Sequence, residues 1–376
     1  MKILIFSWRG IGHPKAGGAE QVTFEYAKGW VKSGYDVTIF TSFYPGCQSL
    51  EVIKGVKFIR SGDEVLGVQI KAFFWYLISK EKNYDIVIDE FHGIPFFTPL
   101  YIGTKKLAFI HEVAGEVWKL NPWPKPFNLI PAILGPLSEK IIFRLLYSRT
   151  RFLTVSQSTK NDLISLGISN QSTTIIPNGV IVPKIDKKFK KSKITITYLG
   201  ALSKDKGIEE ALKVFGQLYN KVGKAYNFWI IGKGDEDYLN FLNSQVEKLG
   251  IKKQVKFWGF VSEKKKFELI SKSHLLINPS IKEGWGLVVI EGAILGVPTV
   301  GFNSAGLRDS IINNQTGILC KHNSPTDMAE QVIKLLDNQR LYNRMCANAI
   351  KWSRKFNWKD SIKLSLSLLD NIKNEQ

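Results

Sequence analysis

Short β-branched and aliphatic runs alternate with longer helical patterns along this chain, and the alternation runs through it twice. In the first half the runs are Lys2–Phe6, Val37–Thr41, Ile86–Asp89, Leu107–Ile110, Phe152–Val155 and Thr174–Ile176. Helical stretches such as Ala19–Ser33 and Thr159–Leu166 lie between them, each stopped by a glycine, Gly34 and Gly167. Parallel strands cannot be joined by a tight turn, so a strand period interrupted by helix-length crossovers is the sign of βαβ units. After a basic segment, 181–193, with Pro183, the alternation restarts: strands at Ile194–Leu199, Asn227–Ile231, Val255–Trp258, Leu275–Asn278 and Thr299–Gly301 are interleaved with helical patterns. The expectation is an α/β protein of two Rossmann-like, doubly wound parallel-sheet domains, 1–180 and 194–356, linked by 181–193. A last helix, within 357–376, is expected to pack back on the first domain. The 376 residues suit two cores of about 100–200 residues each. Open parallel sheets bind ligands at the carboxyl ends of their strands. Two such sheets with facing carboxyl ends would hold one substrate in each half, across a cleft.

Composition narrows the class. With 44% apolar and 23% charged residues the chain has a globular balance. The three cysteines, Cys47, Cys320 and Cys346, form no Cys-x-x-Cys pair, which argues against a zinc knuckle and for a reducing, cytoplasmic setting. The opening Met1–Ser7 is too short in its apolar run for a signal peptide, and no stretch reaches the about 20 apolar residues of a membrane span. The net charge of +19 points to an anionic partner: phosphorylated substrates, an anionic membrane face or nucleic acid. Its lysines and arginines are dispersed rather than gathered in a nucleic-acid motif, so no nucleic acid is expected.

The densest chemical pattern is Glu283-Gly-Trp-Gly-Leu-Val-Val-Ile-Glu291, after a strand that ends near Asn278-Pro279-Ser280. Gly284 and Gly286 allow close backbone approach, and the first amides of a helix at Gly286, Leu287 and Val288 suit a diphosphate. Glu283 in the loop can meet a sugar hydroxyl, and Glu291, just over a turn into the helix, can accept ribose hydroxyls. Lys204 and Lys206, in Gly200-Ala-Leu-Ser-Lys-Asp-Lys-Gly207 after another strand, can neutralise phosphates.

These residues resemble the retaining glycosyltransferases of family 4, which have the GT-B fold and carry two glutamates at the spacing of Glu283 and Glu291. The resemblance covers nearly the whole chain. It implies a hexosyl transfer from a nucleotide sugar, UDP- or GDP-linked, to a glycan, lipid-linked or small-molecule acceptor, with no cofactor, in cell-surface polysaccharide or glycolipid synthesis. It also implies that Glu283 contacts the donor sugar and Glu291 the ribose. Lys206 matches the family's phosphate-binding lysine, whereas Ala201 stands where an arginine is usual. Gly232 and Gly234 in Ile231-Gly-Lys-Gly match a loop that frames the nucleotide, and Phe260 and Val261 match the segment that meets the base through its backbone. Gly17 and Gly18 resemble the glycine loop near the donor phosphate and acceptor, and His111 a histidine that touches the donor sugar, so His111 and Glu283 are the catalytic candidates. Glu112 falls at a commonly acidic position. Ser156 and Asn178-Gly179 match family turns, with Ile181 replacing an acid often found just after, and Asp309 replaces a usual glutamate in Ala305–Asp309.

No Asp-x-Asp cluster stands at a strand end, so no metal site is expected and the leaving diphosphate would be met by Lys206 and helix-start amides. A nucleotide-sugar epimerase of the same fold and a nucleic-acid-binding protein are the alternatives. Trp118–Arg151 mixes Trp, Phe, Pro and Leu with Lys119, Lys125, Lys140, Arg144, Arg149 and Arg151. It suits equally a surface for anionic lipid, placing the protein peripherally on the inner face of the plasma membrane, or a buried helix with solvated basic flanks.

Overall fold

A computed structural model describes residues 1–79, 83–91, 93–121, 125–184 and 193–375. Residues 185–192 of the expected linker lie outside the described residues. The chain divides into two compact units: Met1–Gly179 with Trp358–Gln376, and Val180–Asn357.

Unit 1 runs β1 (Lys2–Ser7), α1 (Gly18–Lys32), β2 (Asp36–Thr41), β3 (Leu50–Ile53), β4 (Val56–Arg60), α2 (Gly67–Ile78), β5 (Ile86–Glu90), β6 (Lys105–Ile110), α3 (Leu129–Leu146), β7 (Arg151–Thr154), α4 (Gln157–Ser165) and β8 (Thr173–Ile175). The sheet order is β3-β4-β2-β1-β5-β6-β7-β8. Every pairing in it is parallel except the β3–β4 hairpin. That hairpin was not expected from the sequence. Its outer strand alternates exposed and half-buried residues and so lacks the aliphatic run that marks a strand covered on both faces.

Successive strand residues point to opposite faces, which sorts the helices. Leu4, Phe6 and Val87 pack under Val68, Ala72 and Tyr76 of α2. Ala108, Ile110 and Phe152 pack under Phe143 of α3 and Leu163 of α4. The register Phe6–Asp89–Ala108–Phe152 runs straight across the sheet, so α2, α3 and α4 cover one face. The C-terminal helix joins this unit against α1. The Trp30 indole Nε1 donates to Ser365 Oγ at 2.8 Å, both groups buried. Tyr26 meets Trp358 edge-on at 5.2 Å, and Gly29 leaves just the room that Ile362 fills.

Unit 2 runs β9 (Ile194–Leu199), α5 (Ile208–Val222), β10 (Tyr226–Ile231), α6 (Glu236–Lys248), β11 (Val255–Gly259), α7 (Glu263–Ser271), β12 (Leu275–Asn278), α8 (Leu287–Ala293), β13 (Thr299–Gly301), α9 (Leu307–Ser310), β14 (Gly317–Leu319), α10 (Pro325–Asp337) and α11 (Gln339–Ser353). The helix joined to unit 1 is α12 (Trp358–Asn374). Its sheet order is β11-β10-β9-β12-β13-β14, with all pairings parallel. The three-residue strand β14 was not expected from the sequence. Side chains from α5, α6, α10 and α11 close the main core over β9 and β10.

Candidate functional site

All strands of the second sheet point the same way, so their carboxyl ends form one edge, and the loops leaving it carry the expected donor residues. The loop after β9 is fixed from beneath. Buried Tyr198 donates its hydroxyl to the carbonyls of Ala201 at 2.7 Å and Lys206 at 3.2 Å. The loop after β12 is stitched to it, since the Ile281 amide donates to the Asp205 carbonyl at 2.9 Å. Gly207 caps α5 with φ 71, and a Cβ there would run into the Pro279 carbonyl. Only glycine takes that conformation at that approach without strain.

This stitching puts Lys206 beside Glu283. The Lys206 ammonium donates to Glu283 Oε2 and to the Lys282 carbonyl, each at 3.2 Å, and lies 3.6 Å from Asp205 Oδ2. The other Glu283 oxygen accepts from Ser280 Oγ at 2.7 Å. Glu283 is held from behind as well: its amide donates to the Ala305 carbonyl at 3.1 Å. Gly306, at φ 76, leaves no room for a Cβ against the Glu283 carbonyl. The Ala305–Asp309 segment therefore shapes this loop through its backbone. Both charged side chains keep a partial opening to solvent, 23% for Lys206 and 17% for Glu283.

Lys204 is exposed on the same turn, its carbonyl accepting from the Gly207 amide at 3.1 Å. Ala201 is exposed too. The β10 loop lies against the β9 loop: the Gly200 amide donates to Ile231, and the Leu202 amide to Lys233. Gly232 in turn donates to the Gly259 carbonyl at 3.0 Å, and a Cβ on Gly234 would meet the Leu202 carbonyl. Phe260 projects from the end of β11 with 76% of its surface exposed and Lys233 Nζ 5.2 Å over its ring, while Val261 packs inward.

Gly286 caps α8 in the left-handed conformation, at φ 75. Leu287 and Val288 are the first two helical residues, whose amides a helix leaves without intrahelical partners. One turn on, Glu291 is buried, and its Oε1 accepts from Lys266 Nζ of α7 at 2.7 Å. Lys266 also reaches Glu263 at 2.8 Å. Burial pushes the Glu291 carboxyl above its ordinary value and Lys266 opposes this. Burial works against the charge of Lys266, but Glu291 and Glu263 outweigh it and hold the ammonium above its ordinary value. Lys266 was missed in the sequence because it reads as one of three consecutive lysines on a solvated helix. Ser280 stands at a strand end and carries no sequence signal of a role.

Unit 1 gathers a separate group at the carboxyl ends of β1, β5 and β6. The Gly17 amide, expected to face an anion, already donates to Glu20 Oε2 at 2.7 Å. Glu20 is in turn paired with Arg9 Nε at 3.0 Å, so its carboxylate occupies that end of α1, and Gly18 is the exposed first residue of the helix. His13 lies 3.8 Å from Glu64, which also takes an ion pair from Lys15. Burial holds His13 below its ordinary value, with Glu64 opposing. His111 is buried at the end of β6, its Nε2 3.5 Å from Glu90 Oε1 on the neighbouring strand, and its ring 4.4 Å from that of Phe109. Glu90 closes β5, one residue beyond the run Ile86–Asp89, and carries no sequence signal of its own. Glu112 and Asn178 are buried, Ile181 is exposed, and Ser156 caps α4 by accepting from the Thr159 amide at 3.1 Å. Among the described residues no group of three or more His, Cys, Asp or Glu side chains is arranged to hold a metal ion.

The model for "Glycosyltransferase Family 4" matches residues 16–182, and that for "Glycosyl transferases group 1" matches residues 183–352. The chain belongs to these family 4 glycosyltransferases. An uncharacterized glycosyltransferase of Methanocaldococcus jannaschii is 26% identical over 100% of this chain and 99% of its own length. Among solved structures, sucrose-phosphate synthase from Thermosynechococcus elongatus matches with a TM-score of 0.80 at 17% identity, over 99% of this chain and 98% of that one. HepE of Anabaena in complex with UDP and glucose matches with a TM-score of 0.71 at 18% identity, over 99% and 100%. The fold is thus that of the GT-B glycosyltransferases, two parallel-sheet α/β domains. Nothing in these comparisons favours an epimerase or a nucleic-acid-binding protein.

Proposed function

We propose that this glycosyltransferase moves a hexosyl unit from a UDP- or GDP-sugar to a glycan, lipid-linked or small-molecule acceptor in cell-surface polysaccharide or glycolipid synthesis, with retention at the anomeric carbon and without a metal. The observation that carries the reading is the Lys206–Glu283–Ser280 constellation at the carboxyl edge of the second sheet, a cation and a carboxylate 3.2 Å apart on loops locked to each other. A nucleotide diphosphate needs such a cation, supplemented by the Gly286, Leu287 and Val288 amides and by exposed Lys204. Glu283 takes a hydroxyl of the transferred sugar, its second oxygen steadied by Ser280. Glu291 takes the ribose, with Lys266 donating to it and orienting it. Gly232, Gly234, Phe260 and Val261 frame the nucleotide. HepE, whose complex holds UDP and glucose, is a neighbour in fold and supports the UDP alternative. In unit 1, His111 is assigned to the sugar and the Gly17–Gly18 loop to the donor phosphate and the acceptor.

Retention follows without an enzymic nucleophile. The bond from the anomeric carbon to the diphosphate oxygen breaks while the acceptor oxygen bonds to that carbon from the same face. The acceptor proton passes to the departing diphosphate, whose growing charge Lys206 meets. Two measurements test this. Glu283→Ala is expected to abolish transfer while the thermal unfolding midpoint stays within a few degrees, and normal turnover would overturn the site. The anomeric configuration of the product, read by NMR, must equal that of the donor. The sugar and base follow from thermal-shift screening with a panel of nucleotide sugars.

A further inference from the structure

Two helices of unit 1, α2 and α3, depart from an ordinary soluble surface. Helix α3 is eighteen residues long, about 27 Å at 1.5 Å per residue. Its inner side is fully committed. Gly135 packs against the Trp118 ring, Phe143 enters the core, and Tyr147 at the helix end donates to buried Asp89 at 2.5 Å. Glu139, the sole acid of the helix, also turns inward and accepts the Ala114 and Gly115 amides at 3.0 and 2.9 Å.

The opposite side is apolar and unpaired with any core. Ile130, Ile133, Leu134, Leu137, Ile141 and Leu145 are each 48–72% exposed. At 100° per residue they cluster on the pole diametrically opposite Glu139. Helix α2 covers the same face of the sheet and repeats the pattern: Ile70, Phe74, Leu77 and Ile78 are 44–78% exposed, and α2 contains no acid. An exposed apolar stripe such as that of α3 marks a binding surface. The exposed charges carried by the two helices are all basic, Lys71 on α2 and Lys140 and Arg144 on α3, and Lys125 and Arg149 flank α3.

We infer that this face of unit 1 docks on an anionic lipid bilayer, with α3 lying in the plane of the interface. An exposed apolar stripe on a helix whose exposed charges are basic is the amphipathic arrangement that buries its apolar face at the headgroup boundary. The helix lies on the bilayer and does not cross it: no described helix is long and apolar enough to span. A second copy of the chain is the poorer occupant, because apposing two such faces brings Lys140 and Arg144 against their own counterparts. The docking asks nothing of the donor site, so its failure and that of the proposed transfer are separable.

Co-sedimentation of the full chain with phosphatidylcholine vesicles, with and without phosphatidylglycerol, tests it. The protein is expected to bind the anionic vesicles, and salt is expected to weaken binding. Each Lys or Arg near such a surface contributes about fivefold to partitioning, so the double variant Lys140→Gln, Arg144→Gln is expected to lose about 25-fold in affinity for them. The triple variant Ile133→Ser, Leu137→Ser, Ile141→Ser is expected to lose more, with an unfolding midpoint no lower than that of the wild type, because these side chains face outward. Failure of the folded wild type to bind anionic vesicles overturns the inference. So does undiminished binding by either variant, or a concentration-dependent dimer that the serine variant abolishes.

Discussion

Replacing Lys206 with methionine removes the ammonium and keeps most of the side-chain volume. In the free protein the loss is modest. The lysine is paired with Glu283 at 3.2 Å with both groups partly open to water, so the interaction is worth about 1 kcal/mol after screening. For a unit the size of Val180–Asn357 that corresponds to a fall of about 2–4 °C in unfolding midpoint. The catalytic loss is expected to be far larger, because negative charge accumulates on the leaving diphosphate only as the glycosidic bond breaks. Removing one preorganised charge-stabilising donor typically costs about 2.7–4 kcal/mol, or a factor of about 100–1,000 in kcat. No arginine at Ala201 backs the lysine up, so the upper part of that range applies. Arginine at 206 is expected to rescue only partly, since its planar fork does not fit the position from which a point charge reaches both Glu283 and the Lys282 carbonyl. The assay is steady-state transfer with the donor identified by thermal shift, with kcat and KM for donor separated. A folded Lys206→Met enzyme whose kcat stays within a factor of about ten would refute the reasoning, because the leaving group's charge would then be met elsewhere.

Three further outcomes follow from the packing. Gly207→Ala and Gly250→Ala both place a side chain at positive φ, but Gly250 has open space where Gly207 has the Pro279 carbonyl. Calorimetry is expected to show a cost of about 1 kcal/mol for Gly250→Ala and at least 3 kcal/mol for Gly207→Ala. Lys266→Met strands the buried Glu291 carboxylate, at an expected cost of about 3–5 kcal/mol near neutral pH. The raised carboxyl of Glu291 binds protons more readily folded than unfolded, so its contribution is present in acid and is lost as pH rises through its folded value. The gap in unfolding midpoint between this variant and the wild type is therefore expected to narrow from pH 8 towards acid, and a gap that widens would refute the assignment. Ser365→Ala leaves the buried Trp30 indole N–H without its partner and is expected to lower stability by about 1–3 kcal/mol in denaturant unfolding.

The fold class was legible because parallel strands covered on both faces must be aliphatic, and runs such as Ile3–Phe6 and Phe228–Ile231 are buried end to end. The β3–β4 hairpin was not, because it is an edge with one wet side. The same division explains the candidate site. Local signals, a strand followed by a glycine and a helix, pointed to Gly207, Gly286 and the loops around them. What they could not give is which charge meets which. Glu283 and Lys206 are far apart in sequence, and it is the Ile281–Asp205 backbone bond and the tight approach of Gly207 to Pro279 that bring them together. Likewise nothing in a run of three lysines singles out Lys266; only the packing of α7 beside α8 turns that one inward to Glu291. Gly17 shows the converse. Its position at a helix start is as the sequence reads, yet Glu20 folds back onto its amide. An anion there must therefore displace a carboxylate that Arg9 already holds, and anion binding at the start of α1 is expected to need Arg9 to exchange partners.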